Sequence, residues 1–291
     1  MNISFLTPVY RDNRLPGNRF LVPLALELKN FRHDVIVNDC NENTDVIISM
    51  TVSIMDRTLE FHNKYPKIPV ICYNWDIYEW VWKDERGKDY DYKKYGELLK
   101  DCIEVWCPSQ CTVDRMKEWF NLDNGRVLKT CSLYYDKKPI DGRFVYNPLR
   151  AIPDRNYGLF EKACNELNIP YKTRGNTHLP WDEYTENVAQ CSFMVSPYYE
   201  ASTGGLALIE GTYLGKPCLA SDSKYCGVRD YMGDRAWYFK HDSYEDLKAK
   251  IKEMWENTPK LNIQECQEWV KQNYSHYRMA KDMNDRLLKL I

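Results

Sequence analysis

The stretch from Ser196 to Asp222, SPYYEASTGGLALIEGTYLGKPCLASD, restricts the fold more than any other part of the chain. It follows a short apolar run, Phe193-Met194-Val195, that reads as a buried strand. A polar loop with glycines runs from Glu200 to Gly205, and Leu206 to Leu214 has the composition of a short helix. Gly215-Lys216-Pro217 ends that helix, because glycine suits a left-handed C-terminal position and proline cannot continue the helix. Cys218-Leu219-Ala220-Ser221 is then a second strand. Strand, glycine loop, helix, strand is a parallel βαβ crossover, which commits the chain to an α/β architecture.

The same unit suits an anion. A glycine pair at the start of a helix lets backbone N–H groups face a ligand, and the helix dipole adds partial positive charge there. Glu210, about one and a half turns from Gly205, can accept hydrogen bonds from a ribose diol. A tight loop with a solvated glutamate has the same pattern, so the loop by itself leaves both readings open.

The rest of the chain repeats the α/β alternation. Its 291 residues suit two domains of ordinary size, and 44% hydrophobic with 28% charged residues is the composition of a globular protein. Strands are expected at Ile3–Leu6, Asp34–Val37, Asp45–Ser49, Val70–Tyr73, Glu104–Cys107 and Arg126–Leu128. Leu21, Leu24, Ala25 and Leu28 share one helix face, and Pro23, which fits only a first turn, predicts that this helix starts near Arg19 or Phe20. Ser109 is an expected N-cap for a helix from Cys111 to Phe120. Tyr134–Gly142 has the composition of a linker. Beyond it come strands at Arg143–Tyr146, Tyr171–Thr173 and Trp237–Phe239. A helix carries Phe160, Ala163, Cys164 and Leu167 on one face, and Ser243 and Asp246 form a capping box before another. The domains expected are 1–138, 139–262, and a C-terminal pair of helices, 263–291, packing back toward the first domain.

Composition excludes several classes. A net charge of −2 demands neither nucleic acid nor an anionic membrane. No apolar run reaches transmembrane length, and the N-terminus lacks a basic leader region. The 11 cysteines are scattered through apolar runs without a CxxC pair, as for reduced core thiols of a cytoplasmic protein. The five histidines show no metal-ligand spacing, so no metal site is expected.

Taken whole, the stretch resembles the signature of the family 4 glycosyltransferases, retaining enzymes of the GT-B fold. Ser196-Pro197, Gly205, Leu206, Glu210, Gly215, Pro217 and Ala220-Ser221 match it. Nine residues separate Glu200 from Glu210, two more than the family has, so by spacing Ser202 takes the place of its first glutamate and by chemistry Glu200 does. The N-terminal strand, loop and helix are similar to the family's opening, with Gly17-Asn18 standing for a glycine pair. Asn74-Trp75-Asp76 stands where relatives carry His-Asp; Trp75 occupies the histidine's place and Asp76 matches the aspartate. Glu104 to Ser109 resembles a strand that ends in Pro-Ser. Arg150 and Arg155 fall where the family has the Arg and Lys that grip the donor diphosphate.

The resemblance implies two Rossmann-like parallel-sheet domains facing across a cleft, and transfer of a sugar from a nucleotide-sugar to an acceptor hydroxyl with retention. The nucleotide-sugar is a co-substrate; no cofactor or metal is implied. Asp76 with Glu200 or Ser202 would be catalytic. Gly17, Asn18, Arg150, Arg155, Gly175, Thr203, Gly204, Gly205, Leu206 and Glu210 would bind donor. The aromatic run from Tyr73 to Tyr95, with Trp75, Tyr78, Trp80 and Trp82, would bind an acceptor, which could be a saccharide, a lipid-linked saccharide or modified DNA; packing onto the domain is the plainer reading of those aromatics. The rival functions are a non-catalytic nucleotide-sugar-binding protein, a GT-B epimerase, and a transferase acting on a hydroxylated DNA base, for which Arg11, Arg14, Arg19, Lys29 and Arg32 would supply a basic patch.

Overall fold

A computed structural model describes residues 1–7, 16–51, 54–74, 92–132, 137–140, 142–149, 157–175, 179–197, 205–223 and 227–291. The chain divides into two compact units: Met1–Cys131 with Tyr274–Ile291, and Ser132–Asn273.

Unit 1 holds six parallel strands: β1 (Asn2–Leu6), β2 (Asp34–Val37), β3 (Val46–Ser49), β4 (Val70–Tyr73), β5 (Glu104–Cys107) and β6 (Gly125–Val127), in the order β2-β1-β3-β4-β5-β6. Its helices are α1 (Pro16–Asn30), α2 (Met55–Lys64), α3 (Tyr92–Lys100), α4 (Gln110–Phe120) and the C-terminal α11 (His276–Leu290). Alternating strand residues build two cores. Phe5, Ile48, Ile71 and Trp106 meet Leu21, Leu24 and Leu28 of α1 and Met279, Met283 and Leu287 of α11. Ile47, Cys72 and Val105 meet Met55, Leu99, Met116 and Phe120 on the other face. Burial on both faces explains why these strands are continuous apolar runs.

The helix expected to start near Arg19 or Phe20 instead starts at Pro16 and keeps Pro23 inside it. Pro16 is preorganised for a first helical position and lacks an N–H that has no partner there anyway. Pro23 removes one intrahelical bond, and the buried face of Leu21, Leu24 and Leu28 continues past it. Ser109 caps α4 as expected, accepting from the Thr112 N–H at 3.2 Å.

The last helix is fixed by charge as well as by apolar contact. Glu104, buried on β5, accepts two bonds from the Arg286 guanidinium, with Nε–Oε2 at 2.7 Å, and one from Trp106 Nε1 at 2.9 Å. His33, also buried, bonds Asn284 through Nε2 at 3.0 Å.

Unit 2 holds β7 (Val145–Asn147), β8 (Tyr171–Thr173), β9 (Phe193–Ser196), β10 (Cys218–Asp222) and β11 (Trp237–Lys240), parallel, in the order β11-β10-β9-β7-β8. Helices α5 (Tyr157–Glu166), α6 (Trp181–Gln190), α7 (Leu206–Tyr213), α8 (Val228–Met232), α9 (Tyr244–Glu256) and α10 (Ile263–Tyr274, its last residue counted with unit 1) complete it. One face packs Val145, Phe193, Val195 and Leu219 on Phe160, Ala163, Leu247 and Ile251. On the other, α7 approaches β9 so closely that a Cβ on Gly211 would collide with the Met194 sulfur. The Ser243 capping box is half formed. Ser243 Oγ accepts from the Asp246 N–H at 3.2 Å, but the Asp246 carboxylate turns to the Lys240 N–H, at 2.5 Å. Ile140 is tied to unit 2 by bonds to Ala189 and Lys216.

Ten described cysteines are free, all buried except Cys111, which is half-buried. Among the described residues no helix is long and apolar enough to cross a membrane, and no group of three or more His, Cys, Asp or Glu could hold a metal ion.

Candidate active site

In unit 2 the chain goes from β7 outward to β8, then returns to place β9 on the other side of β7. The sheet order therefore reverses between β7 and β9, and open α/β sheets bind ligands outside the strand C-termini at such a reversal. β7 ends at Asn147 and runs toward Arg150 and Arg155; β9 ends at Ser196 and runs toward Glu200 and the glycines. The two segments singled out in the sequence thus leave the sheet from neighbouring strand ends.

Gly205 caps α7 without a side-chain bond, and Leu206 is the first helical residue. Gly215 follows the helix at φ +68°, the left-handed stop expected there. Gly175, after β8, has φ +65°, a conformation that a side chain would strain.

Glu210 lies on the second turn of α7, 7% exposed, and accepts a hydrogen bond from the Tyr184 hydroxyl at 2.6 Å. Tyr184 belongs to α6. Its ring is stacked on Trp181 at 5.6 Å, with the Arg174 guanidinium 5.8 Å from its centroid on the β8 side and the Tyr146 ring 6.3 Å away. Burial, and then the Glu210 charge, push the Tyr184 pKa well above the usual phenol range. The Tyr146 hydroxyl, Asn147 Nδ2 and Ser196 Oγ, at the ends of β7 and β9, are buried with no hydrogen-bond partner among the described residues. Asn147 Oδ1 accepts from the Leu149 N–H at 3.0 Å and so shapes the turn that leads toward Arg150.

Arg229, in the stretch after β10, is committed to Asp222 by two bonds of 2.5 and 2.7 Å and lies over Tyr238. That bond to Arg229 holds the Asp222 carboxyl below its ordinary value.

The structure brings Gly205, Leu206, Glu210 and Gly175 to the C-terminal side of the unit 2 sheet. Gly17 and Asn18 lie in the first turn of α1, not in a loop before it. Asp76, Trp75, Tyr78, Trp80, Trp82, Arg150, Arg155, Glu200, Ser202, Thr203 and Gly204 lie outside the described residues. Tyr73, the first aromatic of the run assigned to an acceptor, is a core residue: it is fully buried, and its hydroxyl donates to the Leu128 carbonyl at 3.1 Å. A strand's last residue still faces the sheet interior, and that explains the difference.

Sequence reasoning missed Tyr184 and Trp181. The available signal was a Trp and a Tyr three apart on the helix before β9, on the side of α6 that faces α7. A groove of about 480 Å³ in unit 1, between β6 and α11, is lined by Arg126, Lys129, Arg278, Asp282, Arg286 and Lys289. Arg286 is taken up by Glu104, and Arg278 pairs with Asp282 at 3.1 Å, so much of its charge is already matched.

Two parallel-sheet α/β domains with these strand orders define the class: the fold is that of the GT-B glycosyltransferases. Residues 159–276 match the family model described as Glycosyl transferases group 1. Among solved structures the chain is similar to HepE of Anabaena in complex with UDP and glucose (TM-score 0.71, 13% identity, 99% of this chain and 100% of that one). It is similar to the lipopolysaccharide outer core galactosyltransferase WaaB (0.72, 11%, 100% of both chains) and to the sucrose-phosphate synthase of Thermosynechococcus elongatus (0.70, 11%, 99% and 98%). At these identities the likeness is one of fold. No curated protein sequence matches the chain.

Proposed function

We propose that the chain is a retaining glycosyltransferase of the family 4 type, moving a sugar from a nucleotide-sugar to an acceptor hydroxyl. The observation that carries this reading is the reversal between β7 and β9, where the segments bearing Arg150, Arg155, Glu200 and the glycines leave adjacent strand ends. The match over residues 159–276 and the UDP complexes of a similar structure support it.

In this reading Glu210 accepts from the ribose 2′ and 3′ hydroxyls. Arg150 and Arg155 neutralise the diphosphate as it leaves, a task for fixed cations aimed at developing charge. Backbone N–H groups of Thr203, Gly204, Gly205 and Leu206 meet phosphate or sugar at the start of α7. Glu200 contacts the sugar hydroxyls, with Ser202 as the alternative, and Asp76 polarises the acceptor or holds the sugar. The aromatic run of Trp75, Tyr78, Trp80 and Trp82 forms the acceptor wall. The nucleotide-sugar is a co-substrate, and this reading calls for no cofactor.

Thermal unfolding of the protein across a panel of nucleoside diphosphates and nucleotide-sugars tests this, because a ligand that binds only the native state raises its stability. At least one nucleotide-sugar should raise Tm, and with an acceptor supplied the product should keep the donor's anomeric configuration by NMR. Donor hydrolysis without an acceptor separates an enzyme from a binding protein, and an isomerised donor would identify an epimerase. A panel in which nothing raises Tm would contradict the reading.

A further inference from the structure

Cations gathered around one cavity repel one another, and a cavity that holds more of them than its carboxylates match attracts an anion. We propose that the groove between β6 and α11 is a binding site for a phosphate group, free or carried on a small molecule, held by Arg126, Lys129, Arg286 and Lys289. The groove belongs to unit 1 and does not depend on the nucleotide-sugar reading of unit 2.

The sheet order ends at β6, and among the described residues no further strand covers that side. The groove there has a volume of about 480 Å³, within the usual range for small-molecule sites, and Val127 and Leu128 give it an apolar wall. Five cations line it, with only two carboxylates, Asp282 and Asp285. Both carboxylates are engaged. Asp282 pairs with Arg278 at 3.1 Å. Asp285 pairs with Lys281 at 2.6 Å, a bond that holds its carboxyl below the ordinary value. Glu104, buried on β5, takes Arg286 through Nε and Nη2 and has Arg126 Nε 3.7 Å away. Among the described residues Lys129 and Lys289 make no ion pair, and Lys129 Nζ rests over the Tyr274 ring at 5.6 Å. Arg286 Nη1 and Arg126 Nη2 have no hydrogen-bond partner there either. Arg126 is already fixed, because its Nη1 donates to the carbonyls of Asp123 at 2.9 Å and Gly125 at 2.7 Å. A cation held by the backbone loses little freedom when it meets an anion. A guanidinium matches phosphate oxygens by its planar fork and an ammonium by its point charge. Arg126 and Lys129 come from β6 and the residues after it, Arg286 and Lys289 from α11, so one anion would tie the C-terminal helix to the sheet edge.

The test is calorimetric titration of inorganic phosphate and of glycerol 3-phosphate at one fixed ionic strength, so that screening is the same throughout. The host is the full chain carrying Arg150→Ala and Arg155→Ala, which removes the cations assigned to the donor diphosphate. That host should still bind phosphate at one saturable site. Adding Lys129→Met and Lys289→Met should weaken binding about 10-fold or more, the low end for hydrogen bonds to charged groups. Adding Lys129→Arg and Lys289→Arg instead, which keeps both charges, should leave affinity within about threefold of the host. Methionine keeps an apolar stem over Tyr274, and far-ultraviolet circular dichroism and Tm of each variant without ligand report the fold. Tighter binding of glycerol 3-phosphate assigns the groove to a phosphorylated small molecule; equal or weaker binding assigns it to free phosphate. If the host binds neither anion, or if the two methionines leave its affinity unchanged, the groove is not a phosphate site. Failure of the donor reading would appear separately, in the nucleotide panel.

Discussion

Each unit buries a glutamate, and the two carboxylates are held in different ways. Glu104 of unit 1 takes a bidentate guanidinium from Arg286, an indole N–H from Trp106 and a more distant Arg126 at 3.7 Å. Its charge fastens the C-terminal helix to the edge half of the sheet. Glu210 of unit 2 accepts a hydrogen bond from the Tyr184 hydroxyl at 2.6 Å. Burying a charge is costly unless it is paired or hydrogen-bonded; the guanidinium supplies opposite charge, and the hydroxyl supplies a hydrogen bond. The units share a plan, a parallel sheet with one reversal of strand order, and differ in the kind of partner each gives its buried glutamate.

The largest expected effect breaks the structural side. Glu104→Ala leaves Arg286 without its carboxylate in a partly buried place and should destabilise unit 1 by about 3–5 kcal/mol in urea unfolding. The folded fraction should retain its affinity for nucleotide; a parallel loss of affinity would erase the contrast between the two glutamates. On the recognition side, Arg150→Ala should lower kcat/KM by about 10²-fold, the scale of losing one fixed donor to developing charge, with the fold unchanged. A change under about threefold in both Arg150→Ala and Arg155→Ala would remove the diphosphate assignment. A smaller effect sharpens the division of labour: Trp80→Ala and Trp82→Ala should raise acceptor KM, each by about 1–3 kcal/mol if the rings stack on the acceptor, and leave donor KM alone. Unfolding of both variants would make the aromatic run part of the core, as Tyr73 is.

The smallest effect is a pH dependence confined to unit 1. Burial lowers the pKa of His33 below its ordinary 6.5, and the bond to Asn284 Oδ1 only partly offsets this. The unfolded chain then binds a proton that the folded one refuses, so stability is greatest above pH 6.5 and falls as pH drops through that value toward the folded pKa. His276 is lowered by burial in the same sense. His33→Gln should flatten the decline in Tm between about pH 7 and pH 5; an unchanged slope would place the acid sensitivity elsewhere.

Much of the fold was legible because apolar runs of four residues bounded by polar clusters are buried parallel strands, as Val70–Tyr73 and Phe193–Ser196 show. Glycine and proline punctuation located the end of α7 at Gly215. Pro23 misled, because a proline inside a helix costs less than losing the buried stripe on both sides of it. For the candidate site, local spacing singled out Glu210 and the glycines. It could not show the contact of Tyr184 with Glu210, which joins two different helices, or the partnership of Glu104 with Arg286, which spans most of the chain. Contacts of this kind leave no local pattern, since each residue alone suits its own helix or strand.

The central claim, that Glu210 holds the ribose of a nucleotide donor, is tested most directly by titrating the nucleoside diphosphate that most raises Tm in the panel into wild type and Glu210→Gln under one buffer and temperature. The account predicts binding weakened by about 1.5–3 kcal/mol in Glu210→Gln, the range for a hydrogen bond to a charged group, with Tm of the unliganded protein little changed. Equal affinity of the two proteins for that nucleotide would contradict it.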